Sequence, residues 1–368
     1  MIKEKRILIV TSEFPPQPGG IGNHAHHLAK HLQNHHFDVQ VICDNRSFSG
    51  EEEKLFDETL NFRVHRISRQ HQRFFMYLKR IKCLFKLIKG VDIVIASGKF
   101  SLWIVAFFSL FYKKDFVAVV HGTEVNFRKA ILKATIDLSL KRFTTIIAVS
   151  KYTKSLISHL KHKRICVIPN GFDAESWIPG TTVPIDLPGY LKLITVGNLT
   201  ERKGQLNVIR HLPELLKVYP KLHYHCVGIP TEQNRFMQVA KELEVKDHVT
   251  FHGQVSHERL RELMVSCDVF VMLSSPTASG DVEGFGISIL EANALGLPAI
   301  GSLGCGIADA INLGVSGFLI PHNDSASFLD SLKQLLKNTS GFKLGAQEWA
   351  KGFDWKHIIK RYIEVLQL

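Results

Sequence analysis

Short runs rich in Val and Ile alternate along the chain with stretches of helical periodicity. In the first half the apolar runs fall at 7–10, 39–43, 91–96, 116–120, 145–149 and 165–168. In the second half they fall at 193–196, 224–227, 249–251, 269–273, 299–301 and 317–320. Near-continuous apolar strands of this length suit parallel sheets covered on both faces, and strands alternating with helices imply doubly wound α/β domains. Between the two series lies IPGTTVPIDLPG at 178–189, rich in Pro and Gly and the expected domain boundary. The pattern predicts two Rossmann-like domains facing across a cleft, at 1–178 and 190–345. A last segment, 346–368, carries Trp355, Ile359, Tyr362, Ile363 and Leu366 at helical spacing.

Three helical stretches stand out. After PPQPGGIG at 15–22, a helix begins whose apolar face is Ala25, Leu28, Ala29 and Leu32. It also carries His24, His27, His31 and His35 along one side, which reads as a solvated polar face more readily than as a metal site, because no carboxylates accompany them. Residues 73–89, RFFMYLKRIKCLFKLIK, align Phe74, Leu78, Ile81, Phe85 and Ile88 on one face and Lys79, Lys82, Lys86 and Lys89 on another. Two readings stay open for it: an interfacial helix on anionic lipid, or a core-facing helix whose lysines snorkel. The run SLWIVAFFSLFY at 101–112, bracketed by Lys99 and by Lys113 and Lys114, is too short to span a bilayer. It reads as a buried helix or one dipping into the interface.

Composition adds bounds. The chain has 368 residues, 45% hydrophobic and 22% charged, the proportions of a soluble globular protein. MIKEKRILIV holds only a four-residue apolar run and reads as the first strand rather than a secretory signal. The six cysteines are scattered without a CxxC pair, so neither a zinc site nor a disulfide framework is expected, and a reducing cytosol is the simplest setting. Lys+Arg number 28 against 15 Asp+Glu in residues 1–180, and 18 against 19 in the remainder, so the net +12 sits in the first half. An asymmetry of that size points the first half toward an anionic surface.

The candidate chemistry collects at strand ends. DVEGFGISILEANALG, 281–296, puts Glu283 on a loop after a buried strand and Glu291 about one turn into the next helix. Gly284, Phe285 and Gly286 lie between, their backbone N–H groups at a helix start, where anions are favoured. Thr200-Glu201-Arg202-Lys203-Gly204 follows another strand and offers adjacent cations suited to a diphosphate. His121, in HGTE at 121–124, ends a strand and so faces the expected cleft. The first strand-to-helix turn is not GxGxxG, and Asp44 is the only acidic residue placed for a ribose, so a dinucleotide fingerprint is weak.

PPQPGGIG, HGTE at 121–124, AVSKYTK at 148–154, IPNGFD at 168–173, VGNLTERKG at 196–204 and EGFGISILEANALGLPAIG at 283–301 together resemble the retaining glycosyltransferases of family 4. The resemblance implies a GT-B fold, a nucleoside-diphosphate sugar as donor and a glycan or lipid-linked acceptor. It implies no metal and no cofactor, and a front-face reaction that moves a hexose-type sugar. Glu283 would bind donor-sugar hydroxyls with the backbone of Gly284, Phe285, Gly286 and Ile287 nearby, and Glu291 would hold the ribose hydroxyls. Lys203 and Arg202 would hold the diphosphate, Gly19 and Gly20 would bring backbone against phosphate or sugar, and His121 would contact the sugar. Many members carry arginine after the glycine of the VG turn; here it is Asn198, and Arg202 is the candidate substitute. A cytoplasmic enzyme is expected, peripheral at the inner face of the membrane, with no nucleic-acid partner. The competing readings are a non-catalytic sugar-nucleotide or membrane-binding module and an NAD(P)-dependent oxidoreductase or epimerase.

Overall fold

The computed structural model describes residues 5–69, 73–180 and 182–366. The first four residues of the expected first domain and the last two of the expected terminal helix lie outside the described residues. The chain divides into two compact units, one formed by Met1–Asn170 with Trp355–Leu368 and the other by Gly171–Asp354.

The first unit is a seven-stranded parallel sheet. Its strands are β1 (Arg6–Thr11), β2 (Asp38–Asp44), β3 (Arg63–Ile67), β4 (Ile93–Ser97), β5 (Asp115–Val120), β6 (Thr145–Ala148) and β7 (Ile165–Val167). Their spatial order is β3-β2-β1-β4-β5-β6-β7. β1 pairs Ile7 with Val39 of β2 on one side and with Ile93 of β4 on the other. The helices are α1 (Gly20–Asn34), α2 (Glu51–Asp57), α3 (Arg73–Leu87), α4 (Lys99–Phe108), α5 (Ala130–Leu140) and α6 (Lys151–Leu156). Residues such as Leu8, Val94 and Ala118 are wholly buried against Val105 and Leu140, as expected for strands covered on both faces. β3 was not among the expected strands. As an edge strand its sequence RVHRI needs no continuous apolar run, and its polar positions are used by His65 on Gln40 and by Arg66 on Asp57.

The second unit holds six parallel strands: β8 (Lys192–Val196), β9 (His223–Val227), β10 (Val249–Gly253), β11 (Val269–Met272), β12 (Ala299–Ser302) and β13 (Gly317–Ile320). Their order is β10-β9-β8-β11-β12-β13. Its helices are α7 (Gln205–Val218), α8 (Gln233–Glu242), α9 (His257–Val265), α10 (Ile287–Ala294), α11 (Ser325–Lys337) and α12 (Thr339–Lys351). Leu193, Val208, Tyr224, Val271 and Phe328 are fully buried in its core. The Pro/Gly-rich segment expected as the linker lies within this unit. Trp177 packs edge-on to His257, and Ile185 N–H donates to Ser266 at 2.8 Å.

The last helix, α13 (Trp355–Leu366), belongs to the first unit, on α1. Trp355 and Tyr362 are among the largest fully buried side chains. Trp355 stacks on His27 and His31 at interplanar angles of 13° and 15°, and the Tyr362 hydroxyl meets His24 Nε2 at 2.9 Å. His24, His27 and His31 are therefore the seat of this helix rather than a solvated face, while His35 stays exposed. Among the described residues, no three His, Cys, Asp or Glu side chains gather where they could hold a metal ion. His35 bonds the carbonyl of His31 within its own helix.

Candidate functional site

In both sheets the connections run outward in opposite directions from one pair of neighbouring strands, β1 and β4 in the first unit and β8 and β11 in the second. Ligands of open α/β sheets bind outside the carboxyl ends of strands at such a switch point. Gly19 and Gly20 follow β1, and Arg202, Lys203 and Glu283 follow β8 and β11, whereas His121 follows β5, the neighbour of β4.

In the second unit, β8 ends at Val196 and the chain turns through Gly197 and Asn198 into a short helical turn, Glu201–Lys203. Gln205 pins this turn, its side-chain amide donating to the carbonyls of Gly197 and Asn198 at 3.1 and 3.3 Å. Gly204 caps the start of α7 with φ +81°, and a Cβ there would stand 2.2 Å from the carbonyl carbon of Leu273 after β11. The cations are thus held against the neighbouring strand end by a contact only glycine permits.

Beyond β11 the loop delivers Asp281 and Glu283. Lys203 Nζ lies 2.9 Å from Glu283 Oε2, Arg202 Nη1 bonds the same oxygen, and Arg202 Nε is 3.2 Å from Asp281 Oδ2. Glu283 is only 8% exposed. Burial alone would raise its pKa, but Lys203 and Arg202 outweigh that and hold it below the usual glutamate range. The loop is locked from behind, because Gly306 N–H donates to Glu283 O at 2.9 Å and a Cβ on Gly306 would sit 1.9 Å from Gly284 O.

Gly286, at φ +92°, leads into α10, whose Ser288 hydroxyl donates to Val196 O of β8 at 3.3 Å. Phe285 is buried against Phe353, so its side chain anchors the loop while its backbone lies at the helix start. Glu291, on α10, keeps intermediate exposure, yet the protein around its carboxyl pushes its pKa up to about 7, against the opposing pull of Lys203. Lys203 therefore acts electrostatically on both glutamates. Asn198 is exposed and Ile287 half-buried. Two adjacent cations of this kind can hold a diphosphate-sized anion, and two carboxylates can accept hydrogen bonds from hydroxyl pairs.

In the first unit, His121 follows β5. Its Nε2 is 2.9 Å from Ser97 Oγ at the end of β4, and its backbone N–H donates to Glu124 at 2.5 Å. Burial lowers its pKa to about 4, so the imidazole is neutral at physiological pH. The ring of His24 stands edge-on to it, with centroids 5.1 Å apart. Gly20, the first residue of α1, is exposed with open space around its Cα, and Gly19 caps the helix beside Glu13. Asp44, the one residue placed for a ribose, is instead paired with Arg80 of α3, Arg80 Nε donating to it at 2.7 Å. Lys79, Lys82, Lys86 and Lys89 are all exposed.

The structure thus brings together Arg202, Lys203, Glu283 and Glu291 in one unit, and His121 with Ser97 and His24 in the other. Asp281, Ser97, Gln205, Gly306 and His24 were not picked out from sequence in these roles. Asp281 carries the one available signal, standing two residues before Glu283 in the same loop. The others are paired through contacts distant in sequence or through backbone geometry, for which one sequence holds no sign.

Comparison with known proteins bears on this arrangement. The family model described as Glycosyltransferase Family 4 matches residues 18–176, and that described as Glycosyl transferases group 1 matches residues 187–348. The chain is 25% identical over 219 residues to WcaL of Escherichia coli, spanning 58% of this chain and about half, 53%, of that protein's length. It is 25% identical over 388 residues to a GDP-mannose-dependent alpha-(1-6)-phosphatidylinositol monomannoside mannosyltransferase of Mycolicibacterium smegmatis, covering 98% of each chain. It is also 25% identical to a glycogen synthase of Mycobacterium tuberculosis, over 96% of this chain and 92% of that one. Among solved structures, Anabaena Alr3699/HepE in complex with UDP and glucose superposes with a TM-score of 0.80 at 20% identity, covering 99% of this chain and 100% of that one. That likeness shows the fold, two α/β units of the GT-B type. With one family model matching in each unit and the two together spanning most of the chain, the chain belongs to glycosyltransferase family 4.

Proposed function

We propose that the enzyme moves a hexose-type sugar from a nucleoside-diphosphate sugar to a glycan or lipid-linked acceptor, with retention at the anomeric carbon. The observation that carries this reading is the convergence of Arg202 and Lys203 on Glu283 at the ends of β8 and β11. A buried carboxylate held ionised by two cations is a preformed reader of sugar hydroxyls beside a phosphate clamp. When donor enters, the diphosphate takes over the cations that Glu283 and Asp281 engage here, and Glu283 turns its lone pairs to the sugar. Glu291 accepts hydrogen bonds from the ribose.

As the bond between anomeric carbon and phosphate oxygen breaks, negative charge grows on the leaving diphosphate. Arg202, Lys203 and the start of α10 neutralise it, in the role a metal ion plays elsewhere. The acceptor hydroxyl attacks from the same face, and its proton passes to the leaving phosphate oxygen, so the scheme needs no enzymatic nucleophile. Glu283 and Glu291 serve as hydroxyl readers rather than as the acid and nucleophile of a glycosidase pair. His121, being neutral, can serve a ligand as a hydrogen-bonding group but not as a cation. The six free cysteines suit work in a reducing cytoplasm.

The mycobacterial relative's dependence on GDP-mannose and the Anabaena complex with UDP and glucose support a nucleotide-sugar donor without choosing between bases. The test is a thermal-shift screen against UDP-, GDP- and ADP-sugars, followed by transfer assays with the donor that stabilises most. Lys203→Ala and Glu283→Ala should each lower transfer at least tenfold, a loss of roughly 1.4 kcal/mol or more. Wild-type rates in both variants would refute the assignment.

A further inference from the structure

Helix α3 meets the sheet through Leu84 and through Arg80, which pairs with Asp44; the helical turn that follows adds Ile88. Cys83 and Leu87 pack half-buried against the same core, but several other apolar side chains of α3 lie at the surface. Phe74 is 63% exposed and Phe85 52%, and Leu78 and Ile81 are exposed with them. From α4 and the turn after it, Phe107 at 53% and Phe111 at 68% join this surface. Leu78, Ile81 and Phe85 face Phe107, Phe111 and Tyr112 across an apolar groove of about 540 Å³. Scattered single hydrophobes are normal at a protein surface, whereas a contiguous aromatic patch built from two helices marks a binding face.

Charge identifies the occupant. Between residues 73 and 114 there are nine Lys+Arg and one acidic residue, Asp92. Asp92 is engaged with Arg6, its carboxylate accepting from the Arg6 backbone at 2.9 Å. Lys79, Lys82, Lys86 and Lys89 rim the patch on the α3 side and Lys113 and Lys114 follow Phe111, while Lys89 Nζ lies 5.4 Å from the Phe85 ring centroid. Two copies of this chain meeting here would press like-charged rims together. A bilayer surface of anionic phospholipid meets both requirements: aromatics enter the acyl boundary while lysines stay at the headgroups.

We infer that the α3–α4 face is a docking surface for anionic bilayers, seating the first unit through Leu78, Ile81, Phe85, Phe107 and Phe111 inside a lysine rim. Among the described residues, no helix is long and apolar enough to cross a membrane, so this contact lies in the interface plane. The inference goes beyond the transfer reaction and does not depend on it, because its test needs neither donor nor acceptor.

The test is flotation of the full chain with vesicles of phosphatidylcholine alone and of phosphatidylcholine mixed with phosphatidylglycerol. The protein should float with the mixed vesicles, and raised salt should weaken that binding. Lys79→Gln/Lys82→Gln/Lys86→Gln, at solvent-facing positions that leave packing intact, should weaken binding at least tenfold. Phe85→Asp/Phe111→Asp should abolish it, with thermal unfolding recorded to show that the variant remains folded. Absence of flotation with either vesicle, or equal flotation of wild type and the lysine variant, overturns the proposal. So does a concentration-dependent dimer in sedimentation that the Phe85/Phe111 variant dissolves, since that would assign the face to a second copy.

Discussion

Glu291 carries a stability cost that its proposed role explains. Its carboxyl has an ordinary pKa in the unfolded chain and one of about 7 in the folded protein. Below about pH 4.5 both states hold it protonated and nothing is lost. As pH rises toward 7 the unfolded chain ionises first, so stability falls through that window and then levels off. The difference is on the order of 3 kcal/mol at pH 8. Glu291→Gln should therefore raise the melting temperature at pH 8, with the gain shrinking toward pH 5. The same change should weaken nucleotide binding, because the ionised carboxylate is the better acceptor for a ribose diol. In the wild type, nucleotide affinity should fall as pH drops from 8 to 6. Calorimetric titration and thermal melts across that range measure both effects. A glutamine variant that melts no higher at pH 8 while binding normally would remove Glu291 from the site. A residue retained against its own stability is the expected mark of function.

Elements differed in how openly their sequences declared them. The interior strands could be read because burial on both faces demands near-continuous Val and Ile, as in β4 and β5. β3 escaped because an edge strand can spend alternate positions on Arg63, His65 and Arg66. Glu283 and Lys203 could be placed because each lies in the loop that follows an apolar strand, whereas Ser97 and Gln205 gain their partners from contacts that the fold brings in. The histidines of α1 show the same limit from the other side: their spacing suggested a polar face, yet the helix that bonds His24 and stacks on His27 and His31 lies over three hundred residues away. The His24–Tyr362 bond makes this testable. Tyr362→Phe leaves a buried imidazole nitrogen unpaired and should cost about 1–3 kcal/mol. His24→Leu with Tyr362→Phe removes both partners and should cost less than the two single changes added together. Such non-additivity in urea unfolding is the expected double-mutant-cycle result. Strict additivity would show that the bond contributes nothing.

Taken whole, the molecule is discontinuous in sequence: its first unit is closed by a helix that the chain reaches only after building the second. Trp355, Ile358, Ile359 and Tyr362 are each at most 1% exposed there. At about 1.5–3 kcal/mol for each buried side chain, this face contributes roughly 6–12 kcal/mol before the entropy of ordering the helix. That is comparable to the entire stability of a typical domain, about 5–15 kcal/mol. The second unit has no such dependence, since its sheet, its core and the group of Arg202, Lys203, Glu283 and Glu291 all fall within Gly171–Asp354. Ending the chain after Asp354 should therefore separate two properties that a shared fold would lose together. Calorimetry of the truncated protein should show the first unit's transition lost or moved far down in temperature, while the second unit's transition, and its shift on adding nucleoside diphosphate, persist. A truncated chain that melts in one unchanged transition would mean that α13 is dispensable, and that the stacked histidines of α1 owe their order to α1 itself.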